Sequence, residues 1–313
     1  MRPSSSADAA IVVWGEVLWD RYPDGDRLGG APANVAWHVA QAGGRARLVS
    51  RVGDDADGRR ALARLEDLVD TSLVQIDPER ATGEVGVRMV AGEPRYTLHE
   101  GRAWERIACT DAVAAALAGA AAAFVYGTLA QRTPEGLAGW QAAIAATPSR
   151  CLKVCDLNLR RVWKPIPAGS LPTPTATPML DEVAAVLLAL EAADVVKVND
   201  RELAVLSSWN RWADPIAALR AGRQVVAVTH GSAGSTLFGD GPAIAIAGER
   251  AAPGGDNVGC GDAYLAILVL GMTMGWDLPT CGRAAGRYAA AVAGARGGTP
   301  RFSAEQVSAL LER

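Results

Sequence analysis

Gly254-Gly255-Asp256-Asn257-Val258-Gly259-Cys260-Gly261-Asp262 runs directly into the apolar stretch Ala263-Tyr264-Leu265-Ala266-Ile267-Leu268-Val269-Leu270. The apolar stretch reads as a helix, so the glycines stand at its amino end. There the unpaired backbone N–H groups and the helix dipole favour negative charge. Glycine lets the backbone approach a phosphate without a Cβ in the way. Asp262 falls in the first helical turn, where its carboxylate faces the anion site. Such a group is either a helix-start charge or a base that takes a proton from an attacking hydroxyl. The rest of the chain has to decide between them.

Working outward, short buried strands alternate with helices. Residues 11–14 read as a first strand, 32–42 as a helix that stops at Gly43-Gly44, 46–52 as a strand and 59–68 as a helix. Residues 122–126, 152–156, 195–198 and 225–229 are further strand candidates with Ala-rich helices between them. Alternation of this kind implies a mostly parallel sheet covered on both faces. Two segments differ. Residues 20–31 read as a short exposed hairpin, and 82–106 as an antiparallel hairpin solvated on one face, broken at Gly92-Glu93-Pro94. Residues 165–178, with five prolines, read as a loop. The expectation is one α/β domain over residues 1–313 with a small β appendage built from about 16–30 and 82–107.

Composition excludes several classes. The 313 residues suffice for a sizeable core, half are hydrophobic, and the net charge is -3, with no Lys/Arg run. That balance argues against a nucleic-acid or membrane-surface binder. The five cysteines lack CxxC spacing and the three histidines are far apart, so there is no zinc signature. A reduced, cytoplasmic protein is expected. Residues 1–9 do not read as a signal peptide, and the most apolar run, 112–126, is too short to span a bilayer. No P-loop, dinucleotide fingerprint or hydrolase elbow is present.

In an open parallel sheet, ligands collect at the carboxyl ends of strands, so the polar residues just after the strands are the candidates. Gly29-Gly30-Ala31-Pro32-Ala33-Asn34 puts a glycine pair before a helix start with Asn34 in its first turn. It is either a ligand grip, with an amide that donates and accepts, or a plain hairpin exit. Asn199-x-x-Glu202 offers oxygen groups that suit Mg²⁺ or its water shell. The same spacing is also a capping box. Thr229-x-Gly231-x-x-Gly234 is either a phosphate cradle or a glycine hairpin. Arg160 can clamp a phosphate, although its neighbour Arg161 fits a solvated loop.

Taken in order, these pieces resemble the PfkB/ribokinase family of carbohydrate kinases along nearly the whole chain. The segments Gly15-Glu16-Val17-Leu18-Trp19-Asp20, residues 29–36 and Val49-Ser50-Arg51-Val52-Gly53-Asp54 look most like its fructokinase branch. Asp156-Leu157-Asn158-Leu159-Arg160, Asn199-x-x-Glu202, Thr229-x-Gly231-x-x-Gly234 and 256–262 match further family motifs in the expected order. The resemblance implies a ribokinase-like three-layer α/β/α fold whose β appendage closes as a lid. It implies that Asp262 is the base, with backbone amides of Gly259, Cys260 and Gly261 as the anion hole. By the same resemblance, Asn199 and Glu202 organise Mg²⁺ through water, while Arg160, Thr229, Gly231 and Gly234 hold ATP phosphates. Asp20, Gly29, Gly30, Asn34 and the lid's Trp104 face the sugar. Asp256 helps hold a monovalent cation such as K⁺.

Two departures from the family pattern stand out: Asn257 where Thr or Ser is usual, and Cys260 where Ala is usual. A thiol at a helix amino end is expected to have a lowered pKa and to alkylate readily. In the lid, Glu105 stands where many fructokinase-like members carry Asp. The expected activity is ATP-dependent phosphorylation of fructose at its 6-hydroxyl. Ribose, 2-keto-3-deoxygluconate or another small sugar are the alternatives, and a non-catalytic sugar-binding regulator is the alternative from another class. A homodimer through the lid's strand edges is a family-level expectation.

Overall fold

The computed structural model describes residues 9–90, 93–119, 121–159, 182–210 and 212–312. The proline-rich segment 165–178 and Arg160 lie outside the described residues. The chain opens with β1 (Ala10–Trp14), β2 (Leu18–Tyr22), β3 (Gly25–Gly29), α1 (Ala31–Gln41), β4 (Ala46–Val49), β5 (Arg51–Gly53), α2 (Ala56–Leu65) and β6 (Gln75–Asp77). The pair β7 (Gly83–Val90) and β8 (Glu93–Leu98) follows. Alternation then sets in with α3 (Asp111–Ala118), β9 (Ala121–Tyr126), α4 (Pro134–Ala146), β10 (Leu152–Asp156), α5 (Glu182–Glu191), β11 (Val195–Asn199), α6 (Asp200–Asn210), α7 (Pro215–Arg220) and β12 (Val225–Thr229). The last part holds β13 (Gly234–Phe238), β14 (Ile244–Ala247), α8 (Cys260–Thr273), α9 (Leu278–Ala293) and α10 (Ala304–Leu310).

Eight strands form the main sheet in the order β14-β13-β12-β11-β10-β9-β1-β4, and only β13 runs antiparallel to the rest. Its strands are apolar on both faces because both are covered. Side chains alternate with period two. Val12, Trp14, Phe124, Tyr126, Val196 and Val198 therefore pack toward α3–α7. Ile11, Val13, Val125, Val154 and Val195 pack toward α1, α2 and α8. The result is the expected three-layer α/β/α arrangement.

A second sheet of four strands, ordered β3-β2-β7-β8, joins two segments distant in sequence through a parallel β2–β7 pairing. Three sequence boundaries are corrected. The strand read at 46–52 is two strands: β4 stays in the main sheet, and β5 leaves it to pair with β6. The helix read at 59–68 begins at Ala56, because the Asp55 carboxylate caps it by accepting from the Gly58 N–H at 2.7 Å. The hairpin read over 82–106 ends at Leu98, and Ala103–Arg106 forms a 3₁₀ turn instead. Trp104 and Ile107 are both fully buried in the core that covers β9, and this pulls the segment out of the small sheet.

Trp104 therefore presents no surface to a ligand, contrary to its expected place against the sugar. Its large buried ring makes Trp104→Ala a stability variant. A loss of about 3–5 kcal/mol is expected in chemical denaturation.

Candidate active site

From β1 the chain crosses by α1 to β4 on one side, and later strands fill the other side through β9. This reversal opens a crevice at the carboxyl ends of β1 and β9. A cleft lies there, lined in part by Glu16, Pro32, Gly127, Thr128, Asp156 and Asn158. Its floor depends on Gly30, which precedes α1 with φ 102°. A Cβ on Gly30 would stand 2.3 Å from the Glu16 carbonyl oxygen, so only glycine turns the chain here. The Glu16 carboxylate then accepts from the Ala31 N–H at 3.1 Å.

On the facing side, Gly259 enters α8 in the left-handed conformation, φ 75°. The first intrahelical bond runs from the Ala263 N–H to the Gly259 carbonyl at 2.8 Å. The N–H groups of Cys260, Gly261 and Asp262 are thus left without an acceptor inside the helix, as any helix start requires. Asp262 is 6% exposed, and the Asn34 amide of α1 donates to its Oδ2 at 2.7 Å across a separation of 228 residues. Asn34 Oδ1 is buried with no hydrogen-bond partner among the described residues. Gly298 packs against the Asn34 amide and closes this corner. Asp20 lies beside Gly29, its Oδ2 2.5 Å from where a Cβ on Gly29 would stand. Asp256 ties two loops together by accepting from the N–H groups of Val258 (3.1 Å) and Gly297 (2.9 Å). Asn257 sits at φ 57°, which asparagine tolerates better than most residues.

The residue that sequence reasoning passed over is Lys197, seen only as part of a strand. It is cross-strand neighbour to Asp156, and both side chains project to the α8 face. The Lys197 ammonium is 5% exposed and donates to both oxygens of Asp156 at 2.9 and 3.3 Å. Burial disfavours its charge, but Asp156, Glu202 and Asp262 together outweigh that and hold the ammonium protonated above the usual lysine range. The signal available was a lysine at an otherwise apolar strand position, one of three in the chain.

The candidate nucleotide side is built at the ends of β11 and β12. Asn199 and Glu202 form the reciprocal cap: the Glu202 N–H donates to Asn199 Oδ1 at 3.0 Å and the Asn199 N–H to Glu202 Oε2 at 2.8 Å. Glu202 also accepts from the Leu159 N–H at 2.8 Å, and its burial raises its pKa. The Thr229 hydroxyl lies at the end of β12 and donates to the Val198 carbonyl at 3.4 Å. A Cβ on Gly231 would meet nothing within 4 Å, whereas one on Gly234 would stand 2.1 Å from the Ile246 carbonyl. Gly231 is thus open to an approaching anion, and Gly234 serves the β13–β14 packing. Cys260 overturns the expectation of a lowered thiol pKa. Burial raises it, Asp262 adds to the effect, and the thiol donates to the Asn257 carbonyl at 3.2 Å. Burial, more than the adjacent carboxylate, outweighs the helix-start N–H groups and the Lys197 charge.

A buried carboxylate in the first turn of a helix, at the switch point of a parallel sheet, suits transfer of a phosphoryl group to a hydroxyl. Residues 25–304 match the pfkB family carbohydrate kinase model, and the chain belongs to that family. It is 29% identical to fructokinase of Klebsiella pneumoniae over 275 residues, covering 84% of each chain. Its ribokinase-like fold resembles the fructokinase of Xylella fastidiosa solved with bound ATP (TM-score 0.81, 20% identity, 99% of each chain). It also resembles Vibrio cholerae O395 fructokinase in its fructose, ADP and calcium ion bound form (TM-score 0.80, 24% identity, 98% of this chain and 100% of that one). No described helix is long and apolar enough to cross a membrane.

His38 supports this corner from behind. It is fully buried, its Nε2–H donates to the Gly298 carbonyl at 2.9 Å, and burial pushes its pKa down to about 4. Neutral in the fold, it must take a proton on unfolding below pH 6.5. Stability should therefore fall by on the order of 3 kcal/mol as pH drops from about 6.5 to 4. Urea titrations across that range should show the slope, and His38→Gln should flatten it.

Proposed function

We propose that this carbohydrate kinase transfers the γ-phosphoryl group of ATP to the 6-hydroxyl of fructose. The observation that carries the mechanism is the Asn34–Asp262 pair at the start of α8. Asp262 accepts the hydroxyl proton as the new O–P bond forms and the bond to the ADP oxygen breaks. The N–H groups of Cys260, Gly261 and Asp262 take up the charge on the transferring group. The unpartnered Asn34 Oδ1 is an acceptor for a second sugar hydroxyl, with Asp20 and the backbone of Gly29 and Gly30 on the same side. The four-stranded sheet acts as the lid that excludes water, and its β3 and β8 edges are where two copies would pair.

Thr229 and the open backbone at Gly231 hold nucleotide phosphates, as does Arg160. Magnesium, bound with ATP, neutralises phosphate charge. Glu202 fits it only through water, because both of its oxygens already accept backbone N–H groups and the side chain is buried. Its spare lone pairs suit a metal-bound water, and the Asn199 oxygen, already accepting two N–H groups, plays the lesser part. Asp256 and the carbonyls beside it are the candidate place for K⁺. A further structure of the Vibrio cholerae enzyme, 22% identical, holds potassium with fructose and ADP.

Fructose is favoured over ribose and 2-keto-3-deoxygluconate because curated bacterial relatives near 29% identity are fructokinases. ATP consumption measured across fructose, ribose, glucose, mannose, 2-keto-3-deoxygluconate and adenosine should show turnover with fructose well above the rest. Asp262→Asn should lower kcat by at least ~10²-fold while calorimetry still detects sugar binding. Unchanged turnover in that variant would refute the base. Sugar binding without turnover in the unaltered protein would mark a regulator.

A further inference from the structure

The phosphoryl-transfer reading uses Asp262 and backbone N–H groups, and it leaves the buried ammonium of Lys197 without a task. Its surroundings are unusual for a merely structural lysine. Nζ lies 3.1 Å from the point where a Cβ on Gly261 would stand, so the ammonium fills the space that a side chain at Gly261 would need. That glycine is the middle residue of the helix-start turn. Across the sheet, Ala227 of β12 is the small residue in register with Lys197 and leaves room for its stem. The titratable groups around this turn are Lys197 of β11, Asp156 of β10, Glu202 of α6 and Cys260 of α8 itself, with the neutral Asn34 amide from α1. Among the described residues, the Lys197 ammonium is the cation that these carboxylates, Asp156, Glu202 and Asp262, act on together.

We propose that Lys197 is a positioning residue for phosphoryl transfer: its ammonium, anchored on Asp156, is a fixed positive charge beneath the first turn of α8 that seats Gly261 and keeps Asp262 ionised. This role rests on Asp262 being the base. A buried ion pair held only for stability can be exchanged for neutral groups at little loss, whereas removing one partner leaves an uncompensated charge. A charge serving the reaction cannot be exchanged in this way.

That difference makes the test. Lys197→Met, Asp156→Asn and the double variant K197M/D156N are compared for thermal unfolding, sugar binding by calorimetry, and kcat and KM against pH. K197M should lower kcat at least ~10-fold with sugar KM within about threefold, because the charge acts on the reacting centre more than on ground-state binding. Loss of the cation disfavours ionised Asp262, so the acid limb of kcat should move to higher pH. The double variant should regain most of the unfolding temperature lost by K197M while keeping both the low kcat and the displaced limb. Recovery of kcat and of the acid limb in the double variant would overturn the proposal, since the pair would then be only structural. An unaltered kcat and acid limb in K197M alone would overturn it as well, whatever the double variant does. The two readings separate cleanly. Retained turnover in Asp262→Asn removes the base, whereas a dead Asp262→Asn with an ordinary K197M removes only the role of Lys197.

Discussion

A helix cannot satisfy its own first N–H groups, and this chain places that deficit where it can be used. Gly259, in a conformation open to glycine, turns the backbone so that Cys260, Gly261 and Asp262 enter α8 with N–H groups that no helix carbonyl accepts. Most helix starts of the molecule are capped by a side chain: Asp55, Thr110, Thr133, Asp214, Asp277 and Ser303 each accept from their own first turns. Gly30 and Gly259 bring no such cap, and they are the two helix starts that meet at Asn34 and Asp262. Leaving those groups uncapped forgoes about 1 kcal/mol of capping at each site. The arrangement is preserved by what surrounds it, because α8 is buried along most of its length against α1, α9 and the sheet.

The rest of the fold brings charge and shape to that point. The switch in strand order between β1 and β9 opens the crevice, and the Gly29-Gly30 turn carries the chain from the small sheet directly into α1. Asp20 and Asn34 thereby sit on consecutive pieces of one short segment. The C-terminal loop returns to close the corner: Gly298 contacts Asn34, receives a hydrogen bond from His38 and would collide with a Cβ on Gly259. Residues from both ends of the chain thus share one small volume. Below them, Asp156 and Lys197 put a compensated pair under the turn.

Much of this was legible in the sequence because period and glycine placement are local signals. The alternation of apolar strands and helices gave the layered sheet, and Gly259-Cys260-Gly261-Asp262 before an apolar run marked the helix start. The strand split at Ser50 was not legible, since 46–52 is uniformly strand-like and only the tertiary pairing of β5 with β6 divides it. Trp104 was placed against the sugar by family resemblance alone, yet its turn packs against β5 and α4, elements far from it in sequence, and the ring is fully buried. Cys260 was misread because the helix dipole can be inferred from sequence, but the degree of burial and the facing of Asp262 cannot. Asn199 and Glu202 form the cap that their spacing allowed. Lys197 escaped because its meaning lies in the register of β10 against β11, which no local pattern encodes.

The most direct measurement is a crystal structure of the protein with fructose, ADP, magnesium and aluminium fluoride, the last standing in for the phosphoryl group in flight. The account predicts fluoride ligands at about 3 Å from the N–H groups of Cys260, Gly261 and Asp262, with the sugar 6-hydroxyl on the Asp262 carboxylate. A fluoride group seated away from the start of α8, or a sugar with no hydroxyl on Asp262, would contradict it.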